Sequence, residues 1–165
     1  MSESRKKLVL FPGTFDPITK GHLDVIQRGA NLFDQVVVGV GENPEKAAML
    51  EQQVRAEIIR EVVAEIDNVR VETYTGLTVD FAMSLGASAI LRGIRDSADL
   101  HAETQMALTN RVAAGIETVF VITSPEHAFT SASLIRQIAS MGGDITGMVP
   151  PQVIPHINTL TSEAS

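Results

Sequence analysis

The chain has 165 residues, 44% of them hydrophobic, and a formal net charge of −7 at pH 7. This length favours one domain with a substantial core, and the acidic balance argues against a nucleic-acid partner, which needs basic residues to neutralise phosphates. Because the chain has no cysteine, disulfides, thiolate nucleophiles and cysteine-ligated zinc are excluded. The first apolar run is too short for a signal peptide and no stretch approaches the length of a membrane span, so we expect a cytoplasmic protein without a membrane partner.

Strand and helix patterns alternate along the chain. Five short apolar or β-branched runs predict strands at 8–11, 36–40, 69–74, 87–91 and 117–122. Helical spacing of apolar residues follows each of them, over 19–33, 51–66, 77–85, 98–114 and 131–139, and a short helix is expected after Pro150. This alternation predicts an α/β fold with a five-stranded parallel sheet and helices on both faces. We expect a single domain over 1–165, with flexible ends at 1–6 and 159–165.

The loop after the first strand has the composition of an anion site. Pro12-Gly13 is predicted to end the strand, and Thr19 is the predicted N-cap of the following helix. Free backbone N–H groups and the positive end of the helix dipole attract anions at such a start. His22 lies in the first helical turn, so its imidazole is expected to face the same space. A histidine in this position is more often a surface or capping residue, but its occurrence with Gly13 and Thr14 favours phosphate handling.

Polar side chains gather in the loops that follow the other strands. The carboxyl ends of parallel strands meet at one edge of a sheet, where ligands bind. The cations and hydroxyls expected there favour an anionic ligand: Thr14, Lys20, His22, Lys46, Arg92, Arg95, Ser131, Ser133 and Arg136. Arg92 to Arg95 is predicted to be a turn, and Glu103 is expected to bind a sugar or amine or to pair with Arg95. Arg55 and Arg60, by contrast, are predicted to lie on a solvated helix face.

Three motifs resemble the nucleotidylyltransferase superfamily, and most closely its phosphopantetheine adenylyltransferase family. They are Pro12-Gly-Thr-Phe-Asp-Pro17 with Thr19-x-Gly21-His22, then Leu91-Arg-Gly-Ile-Arg95, and Phe129-Thr-Ser-Ala-Ser133. The resemblance extends from Leu8 to about Pro150. It implies a Rossmann-like nucleotidylyltransferase fold and transfer of the adenylyl group of ATP to 4′-phosphopantetheine, giving dephospho-coenzyme A and pyrophosphate. No Ser-His-Asp spacing or HExxH motif is present, which favours direct attack of the acceptor phosphate on the α-phosphorus.

The same resemblance implies roles for individual residues. His22 would be the catalytic residue, stabilising the transition state. ATP would contact Thr14, Phe15, His22, Gly93, Ile94, Arg95, Glu103, His127, Ala128, Phe129, Thr130, Ser131, Ala132 and Ser133. The acceptor 4′-phosphopantetheine would contact Thr14, Lys46, Thr78 and Arg92. No residue is expected to ligate a metal, because Mg²⁺ would accompany ATP through the phosphates and water. The resemblance further implies a homohexamer and feedback by coenzyme A.

Several positions depart from the family pattern. The segment Leu100-His101-Ala102 lacks a usual aromatic and a usual acid, Ala132 replaces a serine, His127 replaces an aromatic residue, and alanines stand at 47–48 where proline is frequent. Two alternatives stay open, the first because other transferases share the His22 motif and the second because of these departures. The acceptor could be nicotinamide mononucleotide, or an alcohol phosphate in a cytidylyl transfer. The chain could also be a sensor that binds ATP or coenzyme A without turnover.

Overall fold

The structure, a computed structural model, describes residues 6–163, with side chains up to residue 160. Its strands are β1 (Leu8–Gly13), β2 (Gln35–Val40), β3 (Val69–Thr73), β4 (Ala89–Ile94) and β5 (Glu117–Ile122). Its helices are α1 (Lys20–Leu32), α2 (Gln52–Val62), α3 (Thr78–Ser84), α4 (Ser97–Ala114), α5 (Ala132–Ser140) and α6 (Ile154–Glu163), with 3₁₀ turns at Pro125–His127 and Pro151–Val153. The predicted alternation of strands and helices is confirmed.

The five strands form one parallel sheet in the order β3-β2-β1-β4-β5. The chain therefore winds outward from β1 to β3, returns to the other side of β1, and continues through β4 to β5. A point where the winding reverses leaves a crevice at the carboxyl ends of the strands. In this fold that crevice lies above β1 and β4.

Helices cover both faces of the sheet. On one face, Val9 and Val38 pack among side chains of α1, α2 and α5, including Ile26, Ile59 and Ile135. The other face is smaller, and there Leu10, Val37 and Ile90 pack against α3 through Ala82. Because β1 and β2 are buried on both faces, their sequences are continuous apolar runs rather than alternating ones.

Two predicted turns are strands instead. Pro12 does not end β1, which continues in register with β2 through Gly13. The pairing of β1 with β4 stops at Leu10, so no ladder bond on that side needs an N–H at Pro12. The carbonyl of Pro12 accepts instead from the Arg92 side chain. Arg92, Gly93 and Ile94 are likewise not a turn, because pairing with β5 extends β4 to Ile94. Because β1 extends to Gly13 and β4 extends to Ile94, the backbones of both strands reach the crevice.

Arg55 corrects a further prediction. Its side chain is only 3% exposed, whereas Arg60 on the same helix is exposed as predicted. The Arg55 guanidinium donates to the carbonyls of Leu50 and Gly41 at 2.8 and 3.0 Å, and also to that of Thr14. Buried loop carbonyls need donors, and no backbone N–H supplies them here. This requirement overrides the preference of an arginine for solvent.

The chain after Pro150 forms the predicted packing helix. Ile157 of α6 is buried, and α6 extends to Glu163. Flexibility from Thr159 onwards stays a prediction. The expectations for residues 1–5 and 164–165 lie outside the described residues. Within residues 6–163, no helix is both long enough and apolar enough to cross a membrane.

Candidate active site

A cavity of about 450 Å³ opens at the carboxyl ends of β1 and β4. Most of the predicted site residues line it: Thr14, Phe15, His22, Lys46, Arg92, Gly93, Arg95, Glu103, Thr130, Ser131, Ala132, Ser133 and Arg136. The structure thus brings together residues from the loop after β1, the start of α1, the loop after β2, the end of β4, α4 and the start of α5. Lys20, Ile94 and the segment 127–129 do not line this cavity. Ile94 is buried in the sheet, and Phe129 is 62% exposed at the rim.

A second cavity of about 330 Å³ adjoins the first on the α4 side of the sheet. Thr78 lines this second cavity, together with Tyr74, Met106 and Asn110. The Tyr74 hydroxyl lies 2.8 Å from Thr78 Oγ1, and its ring stacks on Phe81. The two cavities share several lining residues, namely Pro12, Gly13, Thr14, Asn43, Arg92 and Glu103. A molecule in one cavity can therefore meet a molecule in the other beside Thr14.

The start of α1 fixes His22 in orientation and tautomer. Thr19 Oγ1 accepts from the backbone N–H of His22 at 3.1 Å, and the backbone N–H of Thr19 donates to His22 Nδ1 at 3.0 Å. These reciprocal bonds form a capping box. Since Nδ1 accepts a backbone proton, the proton of the neutral imidazole is assigned to Nε2. Among the described residues Nε2 has no acceptor, so this N–H is available to a ligand.

The surroundings of His22 keep its imidazole neutral. Burial, followed by the positive charges of Arg92 and Arg95, lowers the pKa of His22 from 6.5 to about 4. The ring lies against Phe15 with centroids 5.0 Å apart in an edge-on arrangement. At neutral pH the imidazole therefore acts as a hydrogen-bond donor without adding a charge of its own.

Arg92 and Glu103 form a two-bonded ion pair between the cavities. Arg92 Nε and NH2 donate to the two carboxylate oxygens of Glu103 at 2.8 and 2.6 Å, and NH1 donates to the carbonyl of Pro12 at 2.8 Å. The expected pairing of Glu103 with Arg95 is therefore wrong. Because residue 92 belongs to β4, its side chain reaches α4 directly.

Arg95 pairs with Asp99 one helical turn away. The Arg95 guanidinium donates to Asp99 at 2.9 Å, and this hydrogen bond holds the pKa of the Asp99 carboxyl below its usual value. Its NH1 also donates to the carbonyl of Thr130 at 2.9 Å. This second bond attaches the end of β4 to the segment that precedes α5.

The start of α5 supplies hydroxyls and a cation. Ser131 is its N-cap, and Arg136 donates to the carbonyl of Asp16 at 2.7 Å. Gly21 lies so close to this segment that an added Cβ would stand 2.9 Å from Thr130 Oγ1. The absence of a side chain at Gly21 thus lets the starts of α1 and α5 face each other across the cavity.

Sequence reasoning missed the buried carboxylate of Asp16 and two walls of the second cavity. Asp16 accepts from the backbone N–H groups of Met49 and Leu50 at 2.7 and 2.9 Å, across 33 residues of chain. Tyr74 and Met106 also become site residues only through the fold. No local signal marks such contacts, because each joins segments that are distant in sequence. Within residues 6–163, no group of three or more His, Asp or Glu side chains could hold a metal ion.

Gly93 is required for close packing of β4 on α1. A Cβ at this position would lie 2.7 Å from Val25 Cγ2 and 3.4 Å from Thr123 Oγ1. We expect Gly93→Ala to lower the free energy of unfolding by about 1–3 kcal/mol, the usual cost of overpacking a core. Urea denaturation measures the change. Gly147→Ala is the matched control, because a Cβ there meets nothing within 4 Å; equal losses in both variants would contradict the packing argument.

Comparison with known proteins agrees with this geometry. The profile of the cytidylyltransferase-like family matches residues 10–138. Phosphopantetheine adenylyltransferases of Heliobacterium modesticaldum and Gloeobacter violaceus are 46% and 48% identical, over 89% and 92% of this chain and 88% and 95% of theirs. A structure solved as a candidate nicotinate-nucleotide adenylyltransferase from Vibrio parahaemolyticus shares the fold, with a TM-score of 0.64 at 17% identity, covering 92% of this chain and 98% of that one. The chain belongs to the phosphopantetheine adenylyltransferase family of cytidylyltransferase-like proteins.

Proposed function

We propose that the protein transfers the adenylyl group of ATP to 4′-phosphopantetheine, releasing pyrophosphate and giving dephospho-coenzyme A. The observation that carries this proposal is the neutral His22, whose Nε2–H has no acceptor among the described residues and which lines the first cavity together with Arg92 and Arg95. A donor held in place before the reaction stabilises charge that develops on phosphoryl oxygens. The names of the relatives supply the acceptor.

The chemistry is a direct displacement at phosphorus. A phosphate oxygen of 4′-phosphopantetheine attacks the α-phosphorus of ATP, a new P–O bond forms, and the bond from the α-phosphorus to the bridging oxygen of pyrophosphate breaks. The attacking group is largely ionised at neutral pH because the second pKa of a phosphate monoester is about 6. No general base is required, so the protein acts by positioning two anions in line and offsetting their repulsion.

The two cavities divide the substrates between them. We assign the first cavity to ATP, held by Thr14, Phe15 and His22 on one side, by Gly93, Arg95 and Glu103 on another, and by the segment 130–133 on a third. The acceptor phosphate would lie near Thr14, Lys46 and Arg92, with its pantetheine arm extending past Thr78 into the second cavity. Mixed apolar and hydroxyl groups on Tyr74, Thr78 and Met106 suit an arm with amides and a short alkyl chain.

Magnesium enters this proposal with the nucleotide. The described residues supply cations and hydroxyls around the first cavity, and the one buried carboxylate there, Asp16, is occupied by two backbone N–H groups. We therefore propose Mg·ATP as the substrate, with the ion held by phosphate oxygens and water.

We also propose a homohexamer and feedback by coenzyme A in a cytoplasmic enzyme. Support for assembly comes from α4, which has no buried residue and exposes Leu100, Leu108 and Val112, the last at 89%. Apolar side chains exposed together are typical of an interface. Coenzyme A combines an adenine nucleotide with a pantetheine arm, so it would occupy both cavities.

The decisive experiment measures pyrophosphate release from ATP and Mg²⁺ with and without 4′-phosphopantetheine. We expect release that depends on the acceptor, and none with nicotinamide mononucleotide, or with CTP and an alcohol phosphate. Release with a different acceptor only would replace the substrate assignment. Binding of ATP with no release in any mixture would favour the sensor alternative.

A further inference from the structure

Arg55 is a buried cation whose partners are all backbone carbonyls. Its side chain is 3% exposed and borders the first cavity. Among the described residues no carboxylate lies within ion-pair distance of its guanidinium. Arginine is almost never fully buried without a paired charge, because removing it from water is costly. Because Arg55 is buried and neutralises no acid, its role lies in the hydrogen bonds that it donates to the three carbonyls.

The three carbonyls belong to three segments that build the site. Thr14 follows β1, Gly41 follows β2, and Leu50 ends the loop that carries Lys46. The Asp16 carboxylate reinforces the same junction by accepting from the N–H of Leu50. Arg55 therefore joins Thr14, which we assign to ATP, to the loop of Lys46, which we assign to the acceptor phosphate.

The bond to Thr14 also orients a peptide group. In a trans peptide the C=O and the following N–H point in opposite directions. Because Arg55 binds the carbonyl of Thr14, the N–H of Phe15 points away from the guanidinium, and it has no acceptor among the described residues. Phe15 has φ +49°, a left-handed conformation that a phenylalanine rarely adopts. Such a peptide keeps its orientation only when its surroundings hold it.

We propose that Arg55 is a positioning residue that holds the Thr14–Phe15 peptide so that the Phe15 N–H faces the phosphates of the nucleotide. This inference rests on the proposed function, because it assigns the first cavity to ATP. The Arg55 fork bonds NH1 to two carbonyls and Nε to a third, which the single ammonium of lysine cannot reproduce. Charge alone at this position is therefore insufficient.

The test combines backbone NMR with kinetics on the full chain. In the parent protein we expect the ¹⁵N–¹H signal of Phe15 to shift when Mg·ATP is added. In Arg55→Lys we expect this shift to be lost and kcat to fall by about 100-fold, the effect of misplacing a positioned group, while KM for ATP changes by less than about threefold. Arg60→Gln is the control, since Arg60 is exposed on the same helix, and it should match the parent in both measurements.

Three results would overturn the inference. They are a Phe15 signal that ignores Mg·ATP in the parent, an Arg55→Lys variant with parental kcat per folded molecule, or an equal loss in Arg60→Gln. If Arg55→Lys does not fold, a parental Phe15 signal that ignores Mg·ATP still overturns the inference. A parent whose Phe15 responds to Mg·ATP but that releases no pyrophosphate with any acceptor retains the positioning role and loses the proposed function.

Discussion

Replacing His22 with alanine is expected to lower kcat by well over ~100-fold, the effect of removing one positioned electrostatic donor. The variant loses the Nε2–H that we assign to the α-phosphoryl oxygen. It keeps the bond from the backbone N–H of residue 22 to Thr19 Oγ1, so α1 retains its N-cap. Steady-state pyrophosphate release measures kcat, and urea denaturation checks that the variant is folded. His156→Ala, on the remote α6, is the control and should leave kcat unchanged.

The pH dependence provides a second check on His22. Because the pKa of His22 is lowered to about 4, the imidazole is neutral throughout the range from pH 6 to 8. We expect kcat/KM for ATP, which reports the groups of the free enzyme, to show no titration of His22 in that range and to fall through this group only as the pH approaches about 4, where a protonated Nδ1 can no longer accept from the Thr19 N–H. A titration near 6.5 that disappears in His22→Ala, or near-parental turnover in that variant, would remove the neutral donor from the mechanism.

Replacing Arg92 with alanine is expected to lower kcat/KM for 4′-phosphopantetheine by about 100-fold, with a smaller effect on KM for ATP. The loss has two parts. The acceptor phosphate loses a cation, and Glu103 is left as an unpaired carboxylate beside two phosphorylated substrates. The side chains of Arg92 and Glu103 are 34% and 18% exposed, so the pair is only partly desolvated. We therefore expect a loss at the lower end of the about 2–5 kcal/mol that truncating a buried charge pair costs, much of it from the charge left behind.

The second part of this loss can be isolated. Adding Glu103→Gln to Arg92→Ala removes the unpaired charge, so the double variant should recover part of the lost kcat/KM. Arg70→Ala breaks a half-exposed ion pair with Glu72 on β3 and serves as the control. If Arg92→Ala resembles Arg70→Ala, Arg92 does not act on the acceptor phosphate. A double variant that is worse than the single one would contradict the contribution of the unpaired Glu103 carboxylate.

Local sequence patterns were sufficient to predict the framework of this fold. The apolar runs gave the strands because both faces of β1 and β2 are buried, and Thr19 was identified as an N-cap because its chemistry is local. The same four-residue stretch, Thr19 to His22, predicts that His22 lies in the first turn of α1. The crevice could also be anticipated, since parallel strands place their following loops at one edge.

Contacts between segments that are distant in the chain could not be predicted from local sequence patterns. The sequence predicts that Glu103 binds a sugar or amine or pairs with Arg95, whereas the extension of β4 to Ile94 brings it to Arg92. Helical spacing predicts Arg55 to be a surface residue, because its partners are the carbonyls of Thr14 and Gly41, which are distant in sequence and become neighbours only in the fold. A proline usually ends a strand because it has no N–H to donate. At Pro12 the strand continues, since the pairing of β1 with β4 has already stopped at Leu10.

The two adjoining cavities have a consequence for inhibitor design. Because both cavities are lined by Thr14, Arg92 and Glu103, a ligand in one cavity lies next to a ligand in the other. A compound that links an adenosine unit to a pantetheine-like arm would make its second set of contacts intramolecularly, at an effective concentration in the millimolar range for a short linker. Weak fragments for each cavity can therefore be joined beside Thr14 into a bisubstrate ligand whose affinity exceeds that of either part.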